Sequence, residues 1–241
     1  MIDYLEHIQN MEKSCEDFKE DTLQNFFKGG LGLDSPIAYN AYFCFTPRYR
    51  QRFDVIKKVV EISDIFGIKR LEANKEVLRV HISFLGDPEH ATKKNFKDSI
   101  DLIKDIFSKA KDEIEEKISL LAAVEKERLN EAIHCFLERC YYSTVAMSVS
   151  AIEFRLLNLL KSVKPDSKLE GLTLGQLIGE YQENKEKYGN IIPKEHRPLI
   201  ELCNVYRIFS VHPKKEKINR QTAVSVLNLA FKFLLDERTK K

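Results

Sequence analysis

From Leu129 onward the apolar residues recur at a helical period. Leu129, Ala132, Ile133, Phe136 and Leu137 stand at i, i+3, i+4, i+7 and i+8, the stripe of a helix that buries one face and leaves the other to water. Such a stripe needs further helices to cover it, and the chain supplies them. Over residues 142–160 the apolar positions spread beyond one face, through Val145, Ala146, Val149, Ile152, Leu156 and Leu159, which marks a central helix surrounded by others and closed by Pro165. Thr173, with Gln176 three residues on, has the form of a capping box ahead of Leu174, Leu177, Ile178 and Tyr181. Pro198 suits the first turn of a helix carrying Leu199, Leu202, Cys203, Tyr206 and Phe209, and Pro213 bounds that helix near His212. Asn219 is placed to cap another, with Ala223, Leu227, Ala230, Phe231 and Leu234 on its inner face. Residues 123–241 are therefore predicted to form a five-helix bundle, long enough to fold alone.

The first half mixes its signals. Residues 1–27 place Leu5, Ile8, Met11, Phe18 and Phe26 in a helical pattern that stops at Gly29 and Gly30. Tyr39, Ala41, Phe43 and Phe45 then alternate as in a half-buried strand. Residues 48–66 return to helical spacing and stop at Gly67. Residues 69–73 and 77–85 flank a polar turn, and Leu78, Val80, Ile82 and Phe84 alternate with Arg79, His81 and Ser83, the pattern of a hairpin. A long amphipathic helix follows through Phe96, Ile100, Ile103, Phe107, Ala110, Ile114 and Ile118. The expected fold class is an α+β N-terminal part, residues 1–122 with about three strands and three helices, followed by an all-α helical bundle.

Composition narrows the function. With 43% hydrophobic and 32% charged residues but only 9 Gly and 7 Pro, the chain is globular and rich in helix formers, not a disordered tail. A net charge of +2 creates no overall field for nucleic acid, so any such site has to be a local patch. The five cysteines, Cys15, Cys44, Cys135, Cys140 and Cys203, form no CxxC pair and are odd in number, which argues against a disulfide framework and a zinc knuckle. No apolar run approaches the roughly 18 residues of a membrane span, and the opening MIDYLEHIQNMEK has acidic residues and no apolar stretch typical of a signal peptide. A cytoplasmic protein without membrane association is expected. GDPEH, residues 86–90, lacks the spacing of a metal site, and GGLG, residues 29–32, lacks the Lys-Ser/Thr ending of a phosphate loop. Neither GxSxG nor HExxH occurs. His134 lies beside an apolar stripe and reads as structural. No metal and no cofactor are expected.

The residues most suggestive of chemistry are YRIFSVHPKK, 206–215. Arg207 and His212 lie five positions apart, about 140° of rotation on an unbroken helix. Pro213 disfavours helical geometry at His212, which lets the imidazole swing back towards the guanidinium. An Arg fork that holds a phosphate beside a His that moves a proton suits cleavage of a phosphodiester. A plain alternative is a His at a helix C-terminus, favoured there by the helix dipole. Lys194, His196, Arg197, Lys214, Lys215, Lys217 and Arg220 surround the pair in sequence, with Glu195, Glu201 and Glu216 among them, either as a cationic patch for phosphates or as ordinary solvated residues flanking a loop. Tyr206 and Phe209 offer a stacking face for a base, although aromatics at this spacing more often belong to a core.

The C-terminal half, residues 124–237, resembles a HEPN domain, the all-helical nucleotide-binding domain family of prokaryotes and higher eukaryotes. The resemblance rests on ERLNEAIHCFLERCYYSTVAMSVSAIEFRLLNLL, on LEGLTLGQLIGEY, and on YRIFSVHPKK, which matches the family's Arg, four to six residues, His signature. It implies a metal-independent endoribonuclease of a toxin or defence system, commonly a homodimer with paired Arg and His groups facing a shared cleft, and an antitoxin or other protein partner. On that likeness RNA is the substrate and Arg207 and His212 are catalytic; beside them Asn204 and, from the cationic patch, Lys214, Lys215, Lys217 and Arg220 are the expected RNA contacts. Ile208 departs from the family, whose active members often carry a polar residue after the Arg. That departure favours the alternative, a non-catalytic module for protein interaction or dimerisation.

Overall fold

A computed structural model describes residues 2–21, 47–63, 68–86, 93–165, 168–211 and 217–239. It divides into two compact units, Asp3–Ile114 and Glu115–Lys241 with Met1–Ile2. The division falls inside a helix, at Glu115.

In the first unit, α1 (Ile2–Asp21), α2 (Pro47–Ile62), α3 (Lys69–Ala73), α4 (Lys75–Gly86) and the greater part of α5 (Lys93–Ser119) contribute to one core. Ile8, Met11, Cys15 and Phe18 of α1 are buried, as are Ile100, Ile103, Phe107, Ala110 and Ile114 of α5. Their polar edges meet: Lys19 Nζ donates to Asp101 at 2.7 Å, Ser108 Oγ to Glu12 at 2.6 Å, and Lys104 pairs with Glu16. Arg52 of α2 donates to the Asp17 carbonyl at 2.8 Å, and His81 of α4 meets Ser99 Oγ at 2.9 Å.

The expected α+β character of residues 1–122 is overturned, because the described residues contain no strand. The segments read as a hairpin are the helices α3 and α4. Leu78 and Leu85 are the buried residues of α4, with His81 and Ile82 half-buried between them and Val80 49% exposed. That is the i, i+3/i+4, i+7 register of a helix, and the alternation of Leu78, Val80, Ile82 and Phe84 coexists with it. Pro47 opens α2 as its first residue, where its missing N–H costs no helical bond. The strand expected at 37–45, GGLG, Cys44, Gly67 and residues 87–90 lie outside the described residues.

The second unit is a helical bundle: α6 (Ala123–Leu137), α7 (Tyr141–Val163), α8 (Leu174–Glu183), the single turn α9 (Lys185–Tyr188), α10 (Arg197–Val211) and α11 (Arg220–Leu234). Two 3-10 turns, Lys194–His196 and Glu237–Thr239, precede α10 and follow α11. α7 is central, packed against α6, α8, α10 and α11. It is long and apolar enough to cross a membrane by length and composition, but 56% of its most apolar window is buried inside the structure. Ser148, Ser150, Glu153 and Arg155 interrupt its apolar residues, so a search for one unbroken run passes over it.

The helix ends follow local chemistry. Asn219 Oδ1 accepts the Thr222 N–H at 2.9 Å, a side-chain cap on α11. At α8 the Gln176 Oε1 accepts from the Thr173 N–H at 2.9 Å, and Glu153 of α7 takes the Leu174 N–H at 2.6 Å. At α6 the Glu125 carboxylate accepts the Ala122 N–H at 2.8 Å.

Candidate functional site

α10 carries the suggestive residues. Ile200, Cys203 and Arg207 stand at i, i+3 and i+7, and therefore on one face, which packs towards α7, α8 and α11. Burial fades along that face. Ile200 and Cys203 are 2% and 0% exposed, Asn204 and Arg207 are half-buried, and Val211 is 54% exposed. The inner side of α10 thus opens to solvent in its last two turns.

Arg207 sits at that opening. Its Nε donates to Asn204 Oδ1 at 3.4 Å, while Nη1 and Nη2 have no partner among the described residues. Asn204 rests against the backbone of α8 at Gly175, where a Cβ would lie 3.0 Å from Asn204 Nδ2 and 3.2 Å from Oδ1. The absence of a side chain at Gly175 makes room for the group that steadies Arg207. Burial pushes the Cys203 thiol up to about 12, so the sulfur one turn below Arg207 stays protonated and is no nucleophile. Ile208 is half-buried beside Arg207.

His212, Lys214 and Lys215 lie outside the described residues, immediately after the end of α10. The remaining cations that are described each have surroundings of their own. Arg220 stacks over the Phe136 ring at 5.5 Å, and Arg197 stacks over the Tyr181 ring at 5.4 Å. Lys217 is exposed, next to Ile218, whose N–H reaches the Tyr142 hydroxyl at 3.3 Å. His196 is 6% exposed, so it cannot belong to a solvated patch; its Nε2 faces Asp236 Oδ2 at 2.8 Å. The Arg238 guanidinium, and then His196, hold the Asp236 carboxyl well below the usual carboxylate range against the opposing effect of burial. Tyr206 and Phe209 meet edge to face at 6.4 Å, both half-buried. His134 is exposed on α6.

The most heavily bonded side chain among the described residues of the unit is not one that the sequence singled out. Arg155, 6% exposed at the middle of α7, makes a forked ion pair with the fully buried Glu125 of α6, with both N···O distances 2.5 Å. Its Nη1 also donates to the Leu234 carbonyl at 3.3 Å and to the Thr239 carbonyl and hydroxyl at 3.2 and 3.1 Å, and Nη2 donates to the Leu120 carbonyl at 3.3 Å. A signal was present: Ser148, Ile152, Arg155 and Leu159 share one helical register, so a cation stands in a row of buried positions. With every nitrogen engaged, Arg155 is structural although a cleft of about 230 Å³ opens beside it.

No family model, curated protein or solved structure matches this chain. No group of three or more His, Cys, Asp or Glu side chains suited to a metal ion occurs among the described residues.

Proposed function

We propose that the helical bundle acts on RNA as a HEPN-like endoribonuclease, with Arg207 holding the scissile phosphate and His212 moving a proton. One observation carries this reading. Arg207 is steadied through Nε by Asn204 at the place where the inner face of α10 opens, and it keeps both terminal nitrogens unengaged among the described residues. Two parallel N–H donors in a fixed plane are the geometry that grips two phosphate oxygens. In the reaction, His212 takes the proton of a ribose 2′-hydroxyl as that oxygen attacks phosphorus. The bond to the 5′-oxygen breaks, and the departing oxygen takes a proton from water, leaving a 2′,3′-cyclic phosphate and a 5′-hydroxyl. Arg207 stabilises the charge that builds on the phosphoryl oxygens. No residue of this scheme calls for a metal ligand, so cleavage should persist in EDTA.

Incubation of the full chain with mixed RNAs and EDTA tests it. Cleavage should yield cyclic phosphate ends, fall by about 10²-fold or more in His212→Ala, and fall by about 10²–10³-fold in Arg207→Ala. Absent cleavage, or cleavage unchanged in His212→Ala, removes the enzymatic reading.

A second reading, a non-catalytic module that pairs with itself or with an antitoxin-like protein, is favoured by the outer face of α10. Leu202 and Val205 are 42% and 43% exposed there, and Ile208 takes the place of a polar neighbour to the Arg. In that case RNA stays intact, while Leu202→Glu with Val205→Glu changes the mass measured by light scattering.

A further inference from the structure

A cleft of about 220 Å³ separates α8 from the first turn of α10. Ile178, Ile192 and Ile200 give it apolar walls. Two cations reach it, Lys185 and Arg197, and neither forms an ion pair among the described residues. The partners of Arg197 among the described residues are neutral: Nε donates to the Ile192 carbonyl at 3.3 Å, Nη2 to Asn190 Oδ1 at 3.0 Å, and its Cζ lies 5.4 Å from the centroid of the Tyr181 ring. Its Nη1 has no partner among the described residues, and neither has the Lys185 ammonium. The one carboxylate on the wall, Glu201, accepts Gln182 Nε2 at 2.8 Å across the cleft.

Three contacts on one guanidinium are more than a surface arginine needs, and they fix the group at the cleft in advance of any ligand. Apolar walls with a small number of placed polar groups are the usual make-up of a small-molecule site, and this volume lies below the roughly 300 Å³ at which sites for drug-sized ligands begin. From these features we infer that the cleft binds a small organic carboxylate, its apolar body between the three isoleucines and its head between Lys185 and Arg197. With Glu201 on the wall the cleft carries two cations against one carboxylate, a balance that a singly charged head completes, and such a head loses less hydration on entering apolar walls than a doubly charged phosphate. The site is separate from Arg207 and does not depend on RNA chemistry.

The test is an NMR titration of the full-length chain with phenylacetate, phenyl phosphate and benzylamine. Phenylacetate should give saturable shifts at the Gln182 side-chain amide and at the backbone amides of Lys185 and Glu201. Phenyl phosphate should bind more weakly and benzylamine without saturation. Lys185→Ala, at an exposed position, should weaken phenylacetate binding about three- to fivefold and leave the remaining spectrum in place. Arg197→Lys should weaken it as well, because it keeps the charge and loses the fork. No saturable shift with phenylacetate, equal binding of benzylamine, or unchanged affinity in Lys185→Ala each overturns the inference.

Discussion

Asp236 shows how a single carboxylate ties an end of the chain to the bundle. It accepts from Arg238 Nε at 2.9 Å and faces His196 at 2.8 Å, while Arg238 also pairs with Glu195 at 2.6 Å. Its carboxyl is held below the ordinary range, first by the Arg238 hydrogen bond. A depressed folded pKa stabilises the fold at pH values above the unfolded value, near 3.9, and that stabilisation is lost as the pH falls towards the folded value. Asp236→Asn should therefore lower stability by about 1–2 kcal/mol at pH 6, and the gap to the native chain should narrow in urea melts at pH 3. A gap independent of pH would show that the charge on Asp236 does not matter. Thiol reactivity is decided at the same scale. Burial pushes Cys15 and Cys203 up to about 12, whereas Cys140 is exposed. Brief alkylation of the native chain followed by peptide mapping should label Cys140 and spare Cys15 and Cys203, with all three labelled in denaturant. The sequence counted His196 among solvated cations because Lys194 and Arg197 flank it; only the packing of the 3-10 turn against Asp236 and Phe233 shows it buried.

At the scale of elements, caps and stripes were legible, and short amphipathic segments were not. Asn219 was readable as a cap because a polar side chain precedes an apolar helical register, and its bond to the Thr222 N–H bears this out. Asn219→Ala should destabilise by about 1 kcal/mol, read as a lower urea midpoint at constant slope, whereas Asn219→Asp should retain most of the stability. α4 was misread because apolar residues at alternate positions, Leu78, Val80, Ile82 and Phe84, satisfy a period of two, while Leu78 and Leu85, seven apart, satisfy the helical one. Over nine residues the two patterns overlap, and tertiary burial chooses between them. The contact between α8 and α10 could not be read from either helix alone. Gly175→Ala places a methyl 3.0 Å from Asn204 Nδ2, displacing the amide that steadies Arg207. The added helix propensity offsets part of the strain, so stability should stay within about 1 kcal/mol, while RNA affinity and cleavage drop towards those of Asn204→Ala. Unchanged RNA activity in a well-folded Gly175→Ala would detach Asn204 from the site.

At the scale of the bundle, the C-terminal architecture was legible because α6, α7, α8, α10 and α11 each carry their own apolar register. What joins their ends was not, since it depends on partners 30 to 84 positions apart in the chain: Glu125, Leu120, Leu234 and Thr239, all meeting Arg155. A guanidinium at 6% exposure has given up nearly all its hydration, so its stability rests on the completeness of its shell. Removing only the anion should be worse than removing both charges. Glu125→Ala leaves a buried cation without its counter-ion and the Ala122 N–H without its acceptor, and should cost about 3–5 kcal/mol. Glu125→Leu with Arg155→Met removes the unpaired charge but strands the carbonyls of Leu120, Leu234 and Thr239, so the double variant should be less damaged than Glu125→Ala and still weaker than the native chain. Urea unfolding of the two variants gives the order. Hydrogen exchange then shows where the damage falls: because Arg155 binds both the carbonyl and the hydroxyl of Thr239, amides of the Glu237–Thr239 turn should lose protection in Glu125→Ala before those of α7. If both variants unfold at the same urea concentration, the ion pair acts only as filler, and the order of the chain ends comes from apolar packing instead.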